Sequence, residues 1–236
     1  MSDADSVREL YNEKARAWRR KYDVDGPLAH RVAAFEARLA ELVKPPAPVL
    51  DFGCGTGNLA FHLTGRGYQV TACDIAERML EEAREAFPAA KIDWRLLPAE
   101  WKTMPFATGA FEAIVSSSVF EYLVTPENAF AECARVLKPG GVLVLSVPNP
   151  ENAMRMMEGV LQLAAVPLSW MRRNRRGRWA AYLDYLALSR NRFSDKQWEA
   201  MASRAGLTWV DSRPLGTPVA GYFLTQSPLM LLTFRR

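Results

Sequence analysis

Val49-Leu50-Asp51-Phe52-Gly53-Cys54-Gly55-Thr56-Gly57-Asn58 is the stretch on which the fold turns. Its apolar opening reads as a buried strand, its glycines as a turn too tight for larger side chains, and the run from Asn58 to Arg66 as the start of a helix. Strand, glycine turn and helix make a cradle. Glycine backbone admits a ligand closely, and the first N–H groups of a helix have no intrahelical partner, so they are available to a polar or anionic group. The spacing is G-x-G-x-G over Gly53, Gly55 and Gly57, with Asn58 standing where a dinucleotide fingerprint carries its last glycine. A nicotinamide oxidoreductase is therefore disfavoured.

Residue for residue, V-L-D-x-G-C-G-T-G resembles motif I of the class I S-adenosylmethionine-dependent methyltransferases, in their type 11 small-molecule and quinone methyltransferase pattern. The resemblance is strong over about residues 47–148 and extends to 193–236 by layout alone. It implies an α/β fold: a Rossmann-like, seven-stranded, mostly parallel sheet with the last strand antiparallel and helices on both faces. A helical cap is inserted after strand five. The implied cofactor is S-adenosyl-L-methionine, with S-adenosyl-L-homocysteine as product.

Outward from the motif, Tyr68 to Asp74 reads as strand two, ending in a carboxylate 23 positions after Asp51. A carboxylate at a strand tip can accept both hydroxyl protons of a ribose diol, which assigns Asp74 to the ribose. Ile75 and Met79 follow as candidates for the adenine face or for the core. Strand three, Ile92 to Leu97, is followed by Pro98-Ala99-Glu100, where the family usually has aspartate-alanine-glutamate. The acidic first position is missing, which leaves adenine to backbone N–H groups near Ala99 and to Glu100. Met104-Pro105-Phe106 and the strand Phe111 to Ser118 match the family's next loop and fourth strand, putting Ser116 and Ser117 at a ligand-binding strand end and Glu112 where many relatives have aspartate. Lys138-Pro139-Gly140-Gly141 reads as a turn into strand five, Val142 to Val147.

Two helices precede the sheet, over about residues 6–22 and from Leu28 to Val43. In similar enzymes such helices form a lid over the cofactor, making Tyr11, Trp18, Tyr22, His30 and Arg31 candidates to face the site, with Arg31 near the methionine carboxylate. Docking of the helices on the core is the competing role for the aromatics. The organisation expected is a single domain over 1–236, with a lid at 1–44, a cofactor-binding core at 45–150, a cap at 151–192, and a helix and strands at 193–236.

Apolar residues at 49% and charged residues at 24% are ordinary for a globular chain, and the length of 236 residues allows one well-cored α/β domain. No run of eighteen apolar residues occurs, and the N-terminal residues are polar, so the cytoplasm is the expected location. Cys54, Cys73 and Cys133 fit neither a disulfide framework nor a zinc site. The net charge of +4 is local: residues 152–192 hold eight arginines against Glu158 and Asp184, a contribution of +6 that leaves about −2 elsewhere. Without aromatic stacking motifs beside it, that cluster is a weak case for nucleic acid.

Within the insertion, Met154, Met157, Val160, Leu161 and Ala164 fall on one helical face, and a second helix over Trp179 to Leu188 carries Tyr182, Leu183 and Leu186. The arginine-rich turn Arg172 to Arg178 joins them. An adaptable wall of methionine and aromatic side chains predicts an apolar, aromatic or lipid-like acceptor. The arginines suit an anionic membrane surface, an anionic group on the substrate, or plain solvation.

A sulfonium methyl is already activated, so the protein must chiefly align the acceptor and exclude water. Where a base is used, Glu121, Tyr122, His30 and Tyr11 are the candidates, and a histidine near Glu121 is excluded because the chain has only His30 and His62. No metal-ligand spacing occurs. The reading is methyl transfer to oxygen or nitrogen of an apolar small molecule. The alternatives are a membrane-associated quinone or lipid methyltransferase, in peripheral contact through 152–192, and a cofactor-binding subunit without turnover. Nothing in the sequence fixes the oligomeric state.

Overall fold

The computed structural model describes residues 2–22, 28–152, 156–158, 185–215 and 227–236. The predicted cap helices lie outside the described residues apart from 156–158 and 185–188, and the Arg172–Arg178 turn lies wholly outside them.

Two helices, α1 (Asp3–Arg19) and α2 (Ala29–Leu42), precede the sheet. α1 begins at a capping box, in which the Ser2 side chain accepts from Asp5 N–H while the Asp5 carboxylate accepts from Ser2 N–H, pairing donors that a helix start leaves open. Then come β1 (Pro48–Phe52), α3 (Asn58–Gly65), β2 (Gln69–Asp74), α4 (Glu77–Ala86), β3 (Asp93–Leu96), β4 (Phe111–Ser117), α5 (Pro126–Val136) and β5 (Leu137–Pro148). After the cap region, α6 (Asp195–Arg204), β6 (Thr208–Leu215) and β7 (Leu229–Arg235) close the domain.

The strands form one sheet in the order β3-β2-β1-β4-β5-β7-β6, with β1 to β5 parallel and β7 antiparallel to both its neighbours. This is the predicted architecture, and the reversal of order on either side of β1 opens a crevice at the carboxyl ends of β1 and β4, where open α/β sheets take their ligands. Alternation along each strand serves both faces. In β1, Leu50 and Phe52 join Phe130 of α5 and Trp198 of α6 in one core, while Val49 joins Phe35 and Leu39 of α2 and Leu63 of α3 in the other.

One departure from the sequence reading lies at the start of β5. Lys138 to Gly141 was expected as a turn, but it belongs to β5, which pairs with β4 across a register shift between Phe111 and Ala113. Gly140 takes φ 80° there, its N–H donates to Arg236 O, and Arg236 N–H donates to Gly141 O, so the irregular stretch is hydrogen-bonded to the chain beyond β7. Glu112, standing where many relatives have aspartate, pairs with Lys138 at 2.9 Å, both side chains partly exposed.

Arg38, a charged residue of α2 that the sequence analysis did not single out, is 4% exposed. Its guanidinium donates to Thr233 Oγ1 of β7 at 3.0 Å, Asp211 Oδ1 of β6 at 2.8 Å and Glu41 Oε2 at 2.7 Å, tying α2 to the antiparallel end of the sheet. Among the described residues no helix is long and apolar enough to cross a membrane.

Candidate active site

A cavity of about 430 Å³ opens at the carboxyl ends of β1, β2 and β4. Its floor is Asp51, the glycine turn and Asp74; Leu97, Ala99 and Trp101 form one side, and α1 lies across the top with Tyr11 and Trp18 facing in.

Asp74 is fixed by backbone. Its Oδ2 accepts from Gly55 N–H and its Oδ1 from Ala76 N–H, each at 2.8 Å. Burial pushes this carboxyl up, and the two N–H donors pull the other way. Asp51, on the neighbouring strand, is 1% exposed and its Oδ2 has no hydrogen-bond partner among the described residues. Burial, and secondarily the charge of Asp74, pushes it up to about 8. Two adjacent buried carboxyls, one without a full complement of donors, make an electronegative floor suited to hydroxyl donors and to a cation. Burial also pushes the Cys54 thiol well up, so it stays a thiol rather than a nucleophile.

The glycines divide by cause. A Cβ on Gly53 would drive into Val119 Cγ2, and one on Gly57 into the Trp94 ring and Ala83. Both hold positive φ, 75° and 76°, so the protein's own packing already demands glycine there. Gly57 sits at the N-cap of α3 outside the cavity wall, whereas Gly55 lines it, with the nearest atom to an added Cβ being Trp18 Nε1 at 3.8 Å.

Of the residues singled out for the cofactor, Asp51, Gly53, Cys54, Gly55, Asp74, Ile75, Met79, Ala99, Glu100, Ser117 and Arg31 line the cavity. Gly57 and Ser116 do not; Ser116 is fully buried, donating from Oγ to Phe52 O at 2.9 Å within the sheet. Arg31 reaches in from α2, its Nη1 donating to Ser118 Oγ at 3.0 Å while its buried Nε has no partner. Ser118 is the one non-glycine residue with positive φ among those described, at 56°, held by donation from its N–H to Ser146 Oγ at 3.0 Å. Strain of this kind collects at ligand sites.

Of the four candidate bases, Tyr11 and Tyr122 line the cavity and meet edge to face with centroids 5.5 Å apart. Burial raises both phenols well above their ordinary range, so they remain protonated and act as donors rather than bases. Glu121 is 3% exposed and forms no part of the cavity wall; its carbonyl accepts from Arg190 N–H and Asn191 N–H. The short 3₁₀ turn Phe120–Tyr122 directs Tyr122, not Glu121, to the cavity. His30 is exposed on α2 and likewise outside the wall.

The sequence reading missed Trp101, which packs edge to face on Phe52 at 5.5 Å, and the first turn of α1, where Ser2, Asp3, Ala4 and Val7 close one end of the cavity. Trp101 had a legible signal, a large aromatic directly after Ala99-Glu100. Among the described residues no group of three His, Cys, Asp or Glu side chains could hold a metal ion.

Residues 50–145 match the family described as a methyltransferase domain. The chain is 36% identical over 136 residues to a ubiquinone biosynthesis O-methyltransferase of Xanthomonas oryzae pv. oryzae, covering 55% of this chain and 56% of that protein. It is 39% identical over 112 residues to a demethylmenaquinone methyltransferase of Thermus thermophilus, covering 46% and 51%. The match thus spans about half the length of these curated relatives. In overall fold it resembles the putative methyltransferase solved in complex with the Haloferax volcanii Trm112 methyltransferase activator, at a TM-score of 0.70 and 18% identity over 95% of this chain and 96% of that one.

Proposed function

We propose that the chain, whose residues 50–145 match a methyltransferase domain, is a class I S-adenosylmethionine-dependent methyltransferase that transfers the methyl group of this cofactor to an oxygen or nitrogen of an apolar small molecule. The observation that carries the proposal is the pair Asp51 and Asp74 beneath the glycine turn. Asp74, held rigidly by Gly55 and Ala76 N–H, accepts from the ribose hydroxyls in this reading, and Asp51, protonated while the site holds no cation, ionises to become the counter-charge of the cationic methionine end when the cofactor binds. Arg31, with its free Nε, is placed for a carboxylate. The bound cofactor supplies the activated methyl group.

The rest of the wall belongs to the acceptor. Tyr11, Tyr22, Tyr122 and Leu123 give it an apolar, aromatic character with phenol donors to orient an oxygen or nitrogen. Alignment and exclusion of water beneath α1 supply the rate. Calorimetric titration with S-adenosylhomocysteine tests the reading: one saturable site per chain, lost in Asp74→Ala, is expected, followed by turnover in a screen of apolar phenols and amines. No binding by the wild-type chain would defeat it.

The names of the relatives favour a narrower second reading, transfer to a quinone-like acceptor, and the arginine cluster over 172–178 is the sequence feature that would add peripheral contact with an anionic membrane to it. Co-sedimentation with anionic liposomes, abolished by neutralising Arg172, Arg173, Arg175 and Arg176, would support that reading. Retention of binding by that variant would remove the arginines from it.

A further inference from the structure

α1 is anchored unequally along its length. Toward its C-terminal end, Ala15 and Trp18 pack with Ala76 and Met79, Asn12 Oδ1 accepts from Arg78 N–H at 3.0 Å, and Arg19 pairs with Glu82 at 3.6 Å, all on or beside α4. At the other end the first turn meets a different partner. Asp3 receives both guanidinium NH2 groups of Arg190, Nη1 at 2.5 Å to Oδ2 and Nη2 at 3.0 Å to Oδ1.

Arg190 is itself rigidly placed. Its N–H donates to Glu121 O, its Nε donates to Ala187 O at 3.0 Å, and the next residue, Asn191, donates from Nδ2 to Phe120 O and Leu123 O at 2.8 and 2.7 Å. The fork therefore projects from the turn that carries Tyr122 and Leu123, both of which line the cavity. On its far side, Asp3 stands among Ser2, Ala4 and Val7 in the same wall. α1 is a bar packed down at one end and clasped at the other, with the cavity beneath.

We propose that the Asp3–Arg190 pair is a latch on this bar, and that ligands enter and leave the cavity between the first turn of α1 and residues 121–124 when it opens. A latch must be geometrically definite and energetically light. The two-point fork supplies the first requirement. Partial solvent exposure, 59% for the Arg190 side chain and 45% for Asp3, supplies the second, because water and salt screen such a pair and let it break often. The flanking contacts make the motion local: Val7 and Leu10 are the first buried apolar residues of the helix, so only the turn ahead of them depends on the clasp.

The inference concerns access to the site under Proposed function and borrows its ligand only as a probe. Stopped-flow tryptophan fluorescence, with Trp18 in the cavity wall as reporter, gives association and dissociation rates of S-adenosylhomocysteine for the wild-type chain, Asp3→Asn, Arg190→Gln and the charge exchange Asp3→Arg with Arg190→Asp. Each single variant is expected to release the ligand about two- to fivefold faster, with association also faster and the equilibrium constant changed less. The exchange should return toward wild type, and 0.5 M salt should speed release only where the pair is intact. Wild-type rates in both single variants, or an exchange as fast as the singles, would overturn the latch. If the wild-type chain binds no S-adenosylhomocysteine, the cofactor reading has failed by itself. The latch is then tested by hydrogen exchange: faster exchange of amides 4–8 in Arg190→Gln supports it, and unchanged exchange overturns it.

Discussion

Asp51 and Asp74 occupy adjacent parallel strands at the floor of one cavity, yet the backbone serves them unequally: two N–H groups converge on Asp74, and Asp51 Oδ2 has no partner. The first is a finished binding element and the second an unfinished one, completed only by what binds.

Removing the finished element should cost affinity outright. Asp74→Ala deletes the carboxylate and leaves Gly55 N–H and Ala76 N–H without their acceptor, so the turn loses its brace as well. The expected loss is about 100-fold or more in S-adenosylhomocysteine affinity by calorimetry, with the circular dichroism spectrum retained. Affinity within threefold of wild type would remove Asp74 from the ligand's contacts.

Asp51 should make stability depend on pH in the direction opposite to a salt-bridged acid. Its carboxyl is pushed up to about 8 in the folded state and titrates near the ordinary carboxylate value when unfolded. Between those limits the folded state holds the extra proton, so this residue's contribution to stability falls as pH rises from about 4 to 8. Asp51→Asn removes the dependence. Denaturant melts at pH 8.5 should find that variant more stable than wild type by at least about 1 kcal/mol, with the gap closing toward pH 5. Affinity for the cationic cofactor should fall in the same variant, since an amide carries no compensating charge.

Gly57 should prove a packing glycine rather than a binding one. Gly57→Ala forces a Cβ into Trp94 and strains φ 76°, for an expected loss of about 2–4 kcal/mol in urea denaturation. Repeating the substitution in a Trp94→Val background should recover the steric part and leave about 1 kcal/mol of backbone strain. An equal loss in both backgrounds would assign the whole cost to the backbone.

Arg38→Ala should destabilise by about 2 kcal/mol, because it leaves buried Thr233 Oγ1 without its donor and takes one of two cations from Asp211, which keeps Arg213 Nε at 3.4 Å. Arg38→Met, which keeps the stem's packing, should lose less if half-buried Asp211 can rehydrate. Urea denaturation of the pair separates packing from charge.

Much of this was readable before any coordinates. The strand–glycine–helix order and the placement of Asp74 follow from local pattern, because a parallel strand's end and the turn after it are set by a few adjacent residues. What escaped the sequence depends on tertiary approach. Gly57 is explained by Trp94, a residue 37 positions away, and no spacing rule connects them. Arg38 looks like one more charge on an amphipathic helix until β6 and β7 arrive beside it. Glu121 and Tyr122 differ by one position in a 3₁₀ turn, and a one-residue ambiguity there decides which side chain meets the cavity. Lys138 to Gly141 has turn composition and falls where the β4–β5 register skips from Leu137 to Val142, held in line by the bonds of Gly140 and Gly141 to Arg236, a partner far along the chain.

The sheet order also bears on how the chain folds as it is synthesised. Among the described residues β6 joins the sheet only through β7, which follows it in sequence, while the parallel strands β1 to β5 are contiguous without either. On the ribosome the nascent chain can therefore assemble its five-stranded half early, but β6 must wait unpaired, and β5 must present an open edge, until β7 emerges and slots between them. Leu231, Leu232 and Phe234 are buried once it does so. β7, which follows β6 in sequence, is thus the strand that seals the β5 edge against pairing with other chains.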